Sequence, residues 1–309
     1  MSKDEPTYYD RLRSSTAVQS LASEQEIWRA VSTYESADLR YPFYFTDSST
    51  QKIRELDLYA EYHFDSGIQN GTLNVVFLVE CKSLSGFHLV LSKVQSRWPS
   101  SGSVLGHVFS RRHYDFQEDV LRALEATGYA YPIPLMRKRL EEITYSRQVT
   151  EEAGAKSSSY LPNAVESTSF RETNIGVDRE LDNSVVWKSA RALQDGRNAV
   201  LARSAIYARN AILPLRPSEQ LISLDRLEES FRQDIGSDTL VYPIISVGAP
   251  IHVFENNTLH EADHVRLRIE VDDMGSFWVD VIRHSKFAEC FAKILNHFQE
   301  EFPQSTDED

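Results

Sequence analysis

The sequence predicts an α/β (α+β) chain in which a mixed β-sheet core, flanked by helices, is interrupted by a helical insertion. Three observations predict it. Alternating and continuous apolar stretches, the signatures of strands, gather in two separate regions, 53–94 and 239–283. Amphipathic helical patterns lie outside them at 20–35 and 285–302, and mainly helical patterns fill the space between. The composition is globular: 41% hydrophobic and 26% charged residues exclude a disordered chain. At 309 residues the chain can bury roughly three-quarters of its unfolded surface, so it needs no disulfide or metal to fold.

Taken in order, residues 1–19 are polar and expected to be mobile. Over 20–35, Ser20, Glu24, Ile27, Val31 and Tyr34 fall on one helical face, with Leu21 and Trp28 alongside. RYPFYF at 40–45 is aromatic and strand-like, Tyr41, Phe43 and Phe45 alternating as core residues would, with a turn at 46–50. Residues 53–64 alternate: Leu56, Leu58, Ala60 and Tyr62 face one way, and Asp57, Tyr59, Glu61 and His63 the other. Asn70-Gly71 is a hairpin signal. LNVVFLVEC at 73–81 is nearly all apolar, as in a central strand buried on both faces. Residues 87–94 give a further strand.

The middle reads as helices at 114–127, 134–147, 185–212 and 221–235, with a Ser-rich polar connection over 156–170. Strands return around Gly248-Ala249-Pro250 and at 265–271 and 276–283, joined by a turn at 272–275. Residues 285–302 form an amphipathic helix. The expected organisation is therefore a single domain over 20–302, its core at 20–97 and 239–302 and a helical insertion at about 98–238. An acidic tail, 303–309, follows.

Several function classes have no support. Cys81 and Cys290 are the two cysteines, so a disulfide scaffold is excluded, and no histidine stands at zinc-ligand spacing from them. The start lacks the apolar core of a signal peptide, and no apolar run approaches a membrane span. A cytoplasmic protein with no membrane partner is the expectation. There is no phosphate-binding P-loop and no nucleophile elbow. The formal charge of −13 argues against a chain held on nucleic acid by a general basic coat. Of that charge, −8 arises within 255–309, so the acidity is concentrated. The stretch 187–216 is locally basic, with Lys188, Arg191, Arg197, Arg203, Arg209 and Arg216. Four of these arginines are six residues apart, which gives no single helical stripe.

The stretch that carries chemistry is Asp57, then Glu80-Cys81-Lys82. On a strand Glu80 and Lys82 share a face and Cys81 takes the other. If the two strands pair across Asn70-Gly71, Asp57 stands beside Glu80 and Lys82. Charges at the end of an apolar strand need compensation. A divalent cation supplies it, since Mg²⁺ is held by one or two carboxylates, water and substrate phosphate. A strand-end ion pair is the alternative.

LDLYAEY…VVFLVECKSL resembles the core of the PD-(D/E)XK, or restriction-endonuclease-like, superfamily. That resemblance implies a nuclease cutting DNA before RNA, with Mg²⁺ or Mn²⁺ as cofactor. Asp57 and Glu80 would be the metal carboxylates, Lys82 the catalytic lysine and the Cys81 backbone carbonyl a further ligand. The family commonly adds a glutamate from the preceding helix. Glu24, within the apolar stripe, is the better placed and Glu26 the weaker choice. The proline of the family name is absent, Leu56 standing before Asp57. A bacterial defence role follows from the same resemblance. A non-catalytic binding or scaffold protein on this fold is the competing expectation. The insertion is expected to govern substrate choice, self-association or a partner protein.

Overall fold

The computed structural model describes residues 7–13, 15–47, 50–65, 72–84, 86–93, 108–110, 164–174, 179–180, 184–212, 237–271 and 275–301. α1 spans Tyr8–Arg13, within the stretch where the sequence offered only polarity, and the helix expected over 20–35 is α2, Thr16–Ser32, which starts four residues earlier. Ser15 caps α2 by accepting a hydrogen bond from the Val18 amide, one of the donors a helix start leaves unpaired. Ile27 and Val31 of α2 are buried, while Leu21 and Trp28 at the flank are exposed.

Six strands follow: β1 (Asp38–Arg40), β2 (Phe43–Thr46), β3 (Ile53–Leu56), β4 (Leu58–Asp65), β5 (Thr72–Lys82) and β6 (His88–Lys93). β4 and β5 pair antiparallel from Leu58↔Val79 to Asp65↔Thr72, as the hairpin reading requires, although the Asn70-Gly71 turn lies outside the described residues. The expected single strand over 53–64 is two strands. β3 pairs with β2 in a small separate sheet, and Asp57 is the bend between β3 and β4. The bend resets the alternation, so Leu56 does not share a face with Leu58. Leu56 packs with Leu78 and Tyr59, and Leu58 packs on the opposite side with Val79 and Ile27.

The remaining elements are β7 (Val108–Ser110), β8 (Val165–Asn174), β9 (Arg179–Glu180), α3 (Val185–Ile212), β10 (Ser237–Val247), β11 (Ile251–Glu255), β12 (Thr258–Ala262), β13 (His264–Val271), β14 (Gly275–Arg283), a 3-10 turn over His284–Lys286 and α4 (Phe287–Glu301). The expected helices at 114–127, 134–147 and 221–235 lie outside the described residues. The helical insertion needs correction within the residues that are described. β8 starts inside the supposed Ser-rich connection and takes a place in the main sheet between β13 and β6.

That main sheet runs β1-β4-β5-β10-β14-β13-β8-β6-β11-β12, with β7 on β10 and β9 on β8. β5, β10 and β14 are mutually parallel, so their carboxyl ends share one edge. One face of these strands packs Leu58, Val79, Tyr242 and Trp278 against Ile27 of α2 and Phe291 and Phe298 of α4. The other packs Leu56, Leu78, Val241 and Ile245 against Val186, Ala190 and Leu193 of α3. Burial on both faces explains why β5 and β10 read as nearly continuous apolar runs. On α4, Phe287, Phe291, Ile294, Leu295 and Phe298 are all buried, at about 1.5–3 kcal/mol each as an upper estimate. β5–β6 and β10–β11 bend together: the Gly248 amide donates to the Lys82 carbonyl (2.8 Å) and the Leu89 amide to the Pro250 carbonyl (2.9 Å). A Cβ at Gly248 would lie 2.4 Å from the Ser83 carbonyl oxygen, so the coordinated bend requires glycine there.

β8 escapes hydrophobic pattern reading because its buried side chains are polar. Ser167 donates to the Ser92 carbonyl (2.7 Å). Glu172, 4% exposed, accepts from the Ser184 hydroxyl and from the Val185 and Val186 amides. It thereby neutralises the positive end of α3. That helix comes close to the sheet at Gly196, where a Cβ would stand 2.6 Å from Leu56 Cδ1 and 3.3 Å from Leu78 Cδ1. Gly196→Leu is therefore expected to destabilise the fold by about 1–3 kcal/mol through overpacking. In Gly196→Ala, the roughly 0.5–1 kcal/mol gained in helix propensity offsets a small shift of Leu56. Urea denaturation of the two variants checks the contrast.

Candidate active site

The candidate site stands at the carboxyl edge of β5, where the bend at Asp57 turns the chain away from the sheet. The β4–β5 ladder ends at Leu58↔Val79. Beyond it the Asp57 side chain replaces the missing strand: its Oδ2 accepts a hydrogen bond from the Cys81 amide at 2.6 Å. An amide and carbonyl of one strand residue point to the same side. The Cys81 carbonyl is therefore directed to the Asp57 side, whereas the Lys82 carbonyl points to β10 and binds Gly248.

Glu80 and Lys82 share a face, as alternation demands. Lys82 Nζ is 2.5 Å from Glu80 Oε2 and 3.9 Å from Asp57 Oδ2. One ammonium thus sits against two carboxylates. Burial pushes the Glu80 carboxyl up to about 7, against the opposing pull of Lys82 and with a further push from the Asp57 charge. Lys82 is held above its ordinary value: burial works against its charge, but Glu80 and Asp57 outweigh it. Burial, with the nearby carboxylates, pushes the Cys81 thiol far up, so this sulfur is no thiolate nucleophile. The sequence expectation that Asp57, Glu80 and Lys82 come together is met by this geometry.

Glu24 lies close by but is otherwise engaged. Its Oε1 accepts from Ser20 Oγ (3.1 Å) and its Oε2 from the Tyr41 hydroxyl (3.2 Å). Its charge still contributes to the elevation of Glu80. Glu26 goes elsewhere, to His284 Nε2 at 3.0 Å, and is mostly exposed. Between the two glutamates, Glu24 is the one beside the site. Among the described residues, no three His, Cys, Asp or Glu side chains form a group able to hold a metal ion. The donors present for a cation are therefore the Asp57 and Glu80 carboxylates with the Cys81 carbonyl. This is a hard oxygen set of the kind Mg²⁺ completes with water and phosphate.

Sequence reasoning missed two arrangements. Tyr41, read as a core aromatic, is 37% exposed and is the partner of Glu24. Deep in the sheet, Asp280 accepts from Arg266 Nε (2.7 Å), from His264 Nε2 (2.7 Å) and from the Tyr242 hydroxyl. A signal for the second was present: Asp280 is in phase with Trp278 and Ile282 on an alternating strand, and a charge in an apolar row requires a partner. The basic stretch on α3 is not a uniform outward face, since Arg197 is 8% exposed and lies over the Phe277 ring.

No family model, curated protein or solved structure matches this chain. Among the described residues, no helix is long and apolar enough to cross a membrane.

Proposed function

We propose that this chain is a metal-dependent nuclease of the restriction-endonuclease-like class, hydrolysing phosphodiester bonds in DNA before RNA. The observation that carries the reading is the convergence of Asp57, Glu80 and Lys82 at one strand end, with Lys82 Nζ against both carboxylates. The parallel β5–β10 pair, α2 on one face and α3 on the other support the same class of fold.

Asp57, Glu80 and the Cys81 carbonyl would hold Mg²⁺ or Mn²⁺. A cation bound there would polarise the phosphodiester and acidify a bound water. Asp57 also fixes the strand end through the Cys81 amide, which orients the carbonyl beside it. Lys82 Nζ is placed to donate to a phosphate oxygen on which charge develops, the interaction that gains most from a water-poor setting. The net charge of −13 confines nucleic-acid contact to a local face and makes it cation-dependent. A second copy or a partner protein would engage through 98–238, and a cytoplasmic defence role fits such an enzyme.

Incubating the protein with single- and double-stranded DNA and RNA, in Mg²⁺, Mn²⁺ or EDTA, tests the reading. Cleavage that EDTA abolishes supports it, and no cleavage of any substrate removes it. One observation favours a non-catalytic binding or scaffold protein instead: Lys82 already pairs with both carboxylates, and among the described residues no third metal-holding side chain joins them. That alternative requires an absence of Mg²⁺ and Mn²⁺ binding at millimolar concentration.

A pH dependence follows from Glu80. A carboxyl raised to about 7 is partly protonated at neutrality, and a metal must displace that proton. Below the raised value, apparent Mg²⁺ affinity is expected to fall towards tenfold per pH unit, in the limit of one displaced proton. Calorimetry across about pH 5.5–8 reads it, and a flat profile would remove Glu80 from the ligand set.

A further inference from the structure

The geometry points to Tyr41 as a positioning residue that holds the Glu24 carboxylate in reserve, apart from the Asp57–Glu80 pair. The inference rests on the metal-site reading above and adds to it a residue that the sequence had placed in the core. Three observations carry it. Both Glu24 oxygens are engaged by neutral hydroxyl donors, Oε1 by Ser20 and Oε2 by Tyr41. Glu24 is nevertheless close enough for its charge to act on both Glu80 and Cys81. Yet among the described residues Glu24, Asp57 and Glu80 do not form a metal-holding group.

Tyr41 is suited to such a hold. It lies in the short link between β1 and β2, just before Pro42, on a segment separate from α2. Tyr41 is 37% exposed, so the hydroxyl is not locked in the core. Glu24 sits on α2, whose position is fixed by Ile27 and Val31. The hydrogen bond has a charged acceptor but at 3.2 Å is long for O–H···O, so it can be given up. While it lasts, it stabilises Glu24 in the arrangement with Ser20 and Tyr41, and the site has two carboxylates. When the hydroxyl is withdrawn, a third carboxylate is free to turn to a cation beside Asp57 and Glu80. A phosphodiester oxygen is a competing acceptor for the same hydroxyl, so substrate entry and recruitment of Glu24 would be coupled.

The test is metal affinity rather than cleavage. Mg²⁺ and Mn²⁺ are titrated by calorimetry into wild type, Tyr41→Phe, Glu24→Gln and the double variant, with thermal melting to confirm the fold of each. Tyr41→Phe is expected to bind the cation about tenfold more tightly, the scale set by loss of one hydrogen bond to a charged group. Glu24→Gln alone should change affinity little, and in the double variant the gain should disappear. Ser20→Ala, which frees the other oxygen, should tighten binding in the same direction. If wild type binds cation but Tyr41→Phe does not tighten it, or tightens it equally without Glu24, the role of Tyr41 is overturned and the metal site stands. If wild type binds no cation, the metal site itself falls, and the role of Tyr41 falls with it.

Discussion

Replacement of Asp280 by alanine is expected to destabilise the protein by about 3–5 kcal/mol, the cost of removing one partner from a buried ion pair. Asp280 is fully buried and Arg266 is 3% exposed. Arg266 Nε and Nη2 donate to its two oxygens at 2.7 and 3.0 Å, and Nη2 also donates to the Tyr242 hydroxyl at 2.9 Å. The guanidinium lies over the Trp278 ring as well. Removing the carboxylate takes from that cation, inside the sheet, the charged group that both its Nε and Nη2 donate to. The loss should appear as a lower urea midpoint with an unchanged slope. A loss under about 1 kcal/mol would contradict the uncompensated-charge account. Replacing the pair together, Asp280→Leu with Arg266→Met, should recover most of it, because apolar packing often equals a buried ion pair. The same network sets an acid limit. Burial pushes the Asp280 carboxyl up, but Arg266 and His264 overcome this and hold it well below its ordinary 3.8. Its folded-state value is thus depressed, so the stability it contributes is complete above the ordinary value. That stability is lost as pH falls below about 4. Asp280→Ala should therefore flatten the acid end of the stability profile.

How much of this was legible in the sequence differs by element. β5, β10, β13, β14, α3 and α4 stood out because their apolar periodicity is strong and their burial is determined by it. The Asp57–Glu80–Lys82 set was legible for a related reason: pairing across a hairpin fixes register, and register fixes which side chains meet. The bend at Asp57 was not, because it depends on a side chain replacing a backbone acceptor for Cys81. β8 was hidden by Ser167 and Glu172, polar residues whose burial depends on partners outside the strand, the Ser92 carbonyl for one and the start of α3 for the other. β12 was overlooked although its turn signal was present. Asn256 and Asn257 both adopt positive φ, 49° and 59°, the backbone that a two-residue hairpin requires. The engagement of Glu24 by Tyr41 joins residues 17 apart through a link without periodicity, and no pattern rule reaches it.

Lys82→Ala is expected to lower metal-dependent cleavage by about 100- to 10,000-fold, the range over which a positioned acid–base or charge-stabilising group contributes. The geometry makes this variant informative. Lys82 is partly exposed at the strand end, at 29% of its side chain, so its removal takes away charge more than packing. Two carboxylates then remain without their ammonium, and Glu80, already raised by burial, loses the interaction that opposes that rise. Such a site has more need of a cation, so Mg²⁺ binding should persist in Lys82→Ala while cleavage fails. In Asp57→Asn, both should be lost, because the charged metal oxygen is gone, although the amide oxygen left in its place can still accept from the Cys81 amide. Lys82→Arg separates two roles. A guanidinium keeps the positive charge but does not give up a proton near neutrality. Lys82, held above its ordinary value, is itself charged near neutrality. Recovery of cleavage in Lys82→Arg would therefore assign charge stabilisation, and continued failure with metal bound would assign donation of the ammonium proton to the leaving oxygen. Cleavage by Lys82→Ala at the wild-type rate would reduce the Glu80–Lys82 contact to a strand-end ion pair and remove its place in the chemistry.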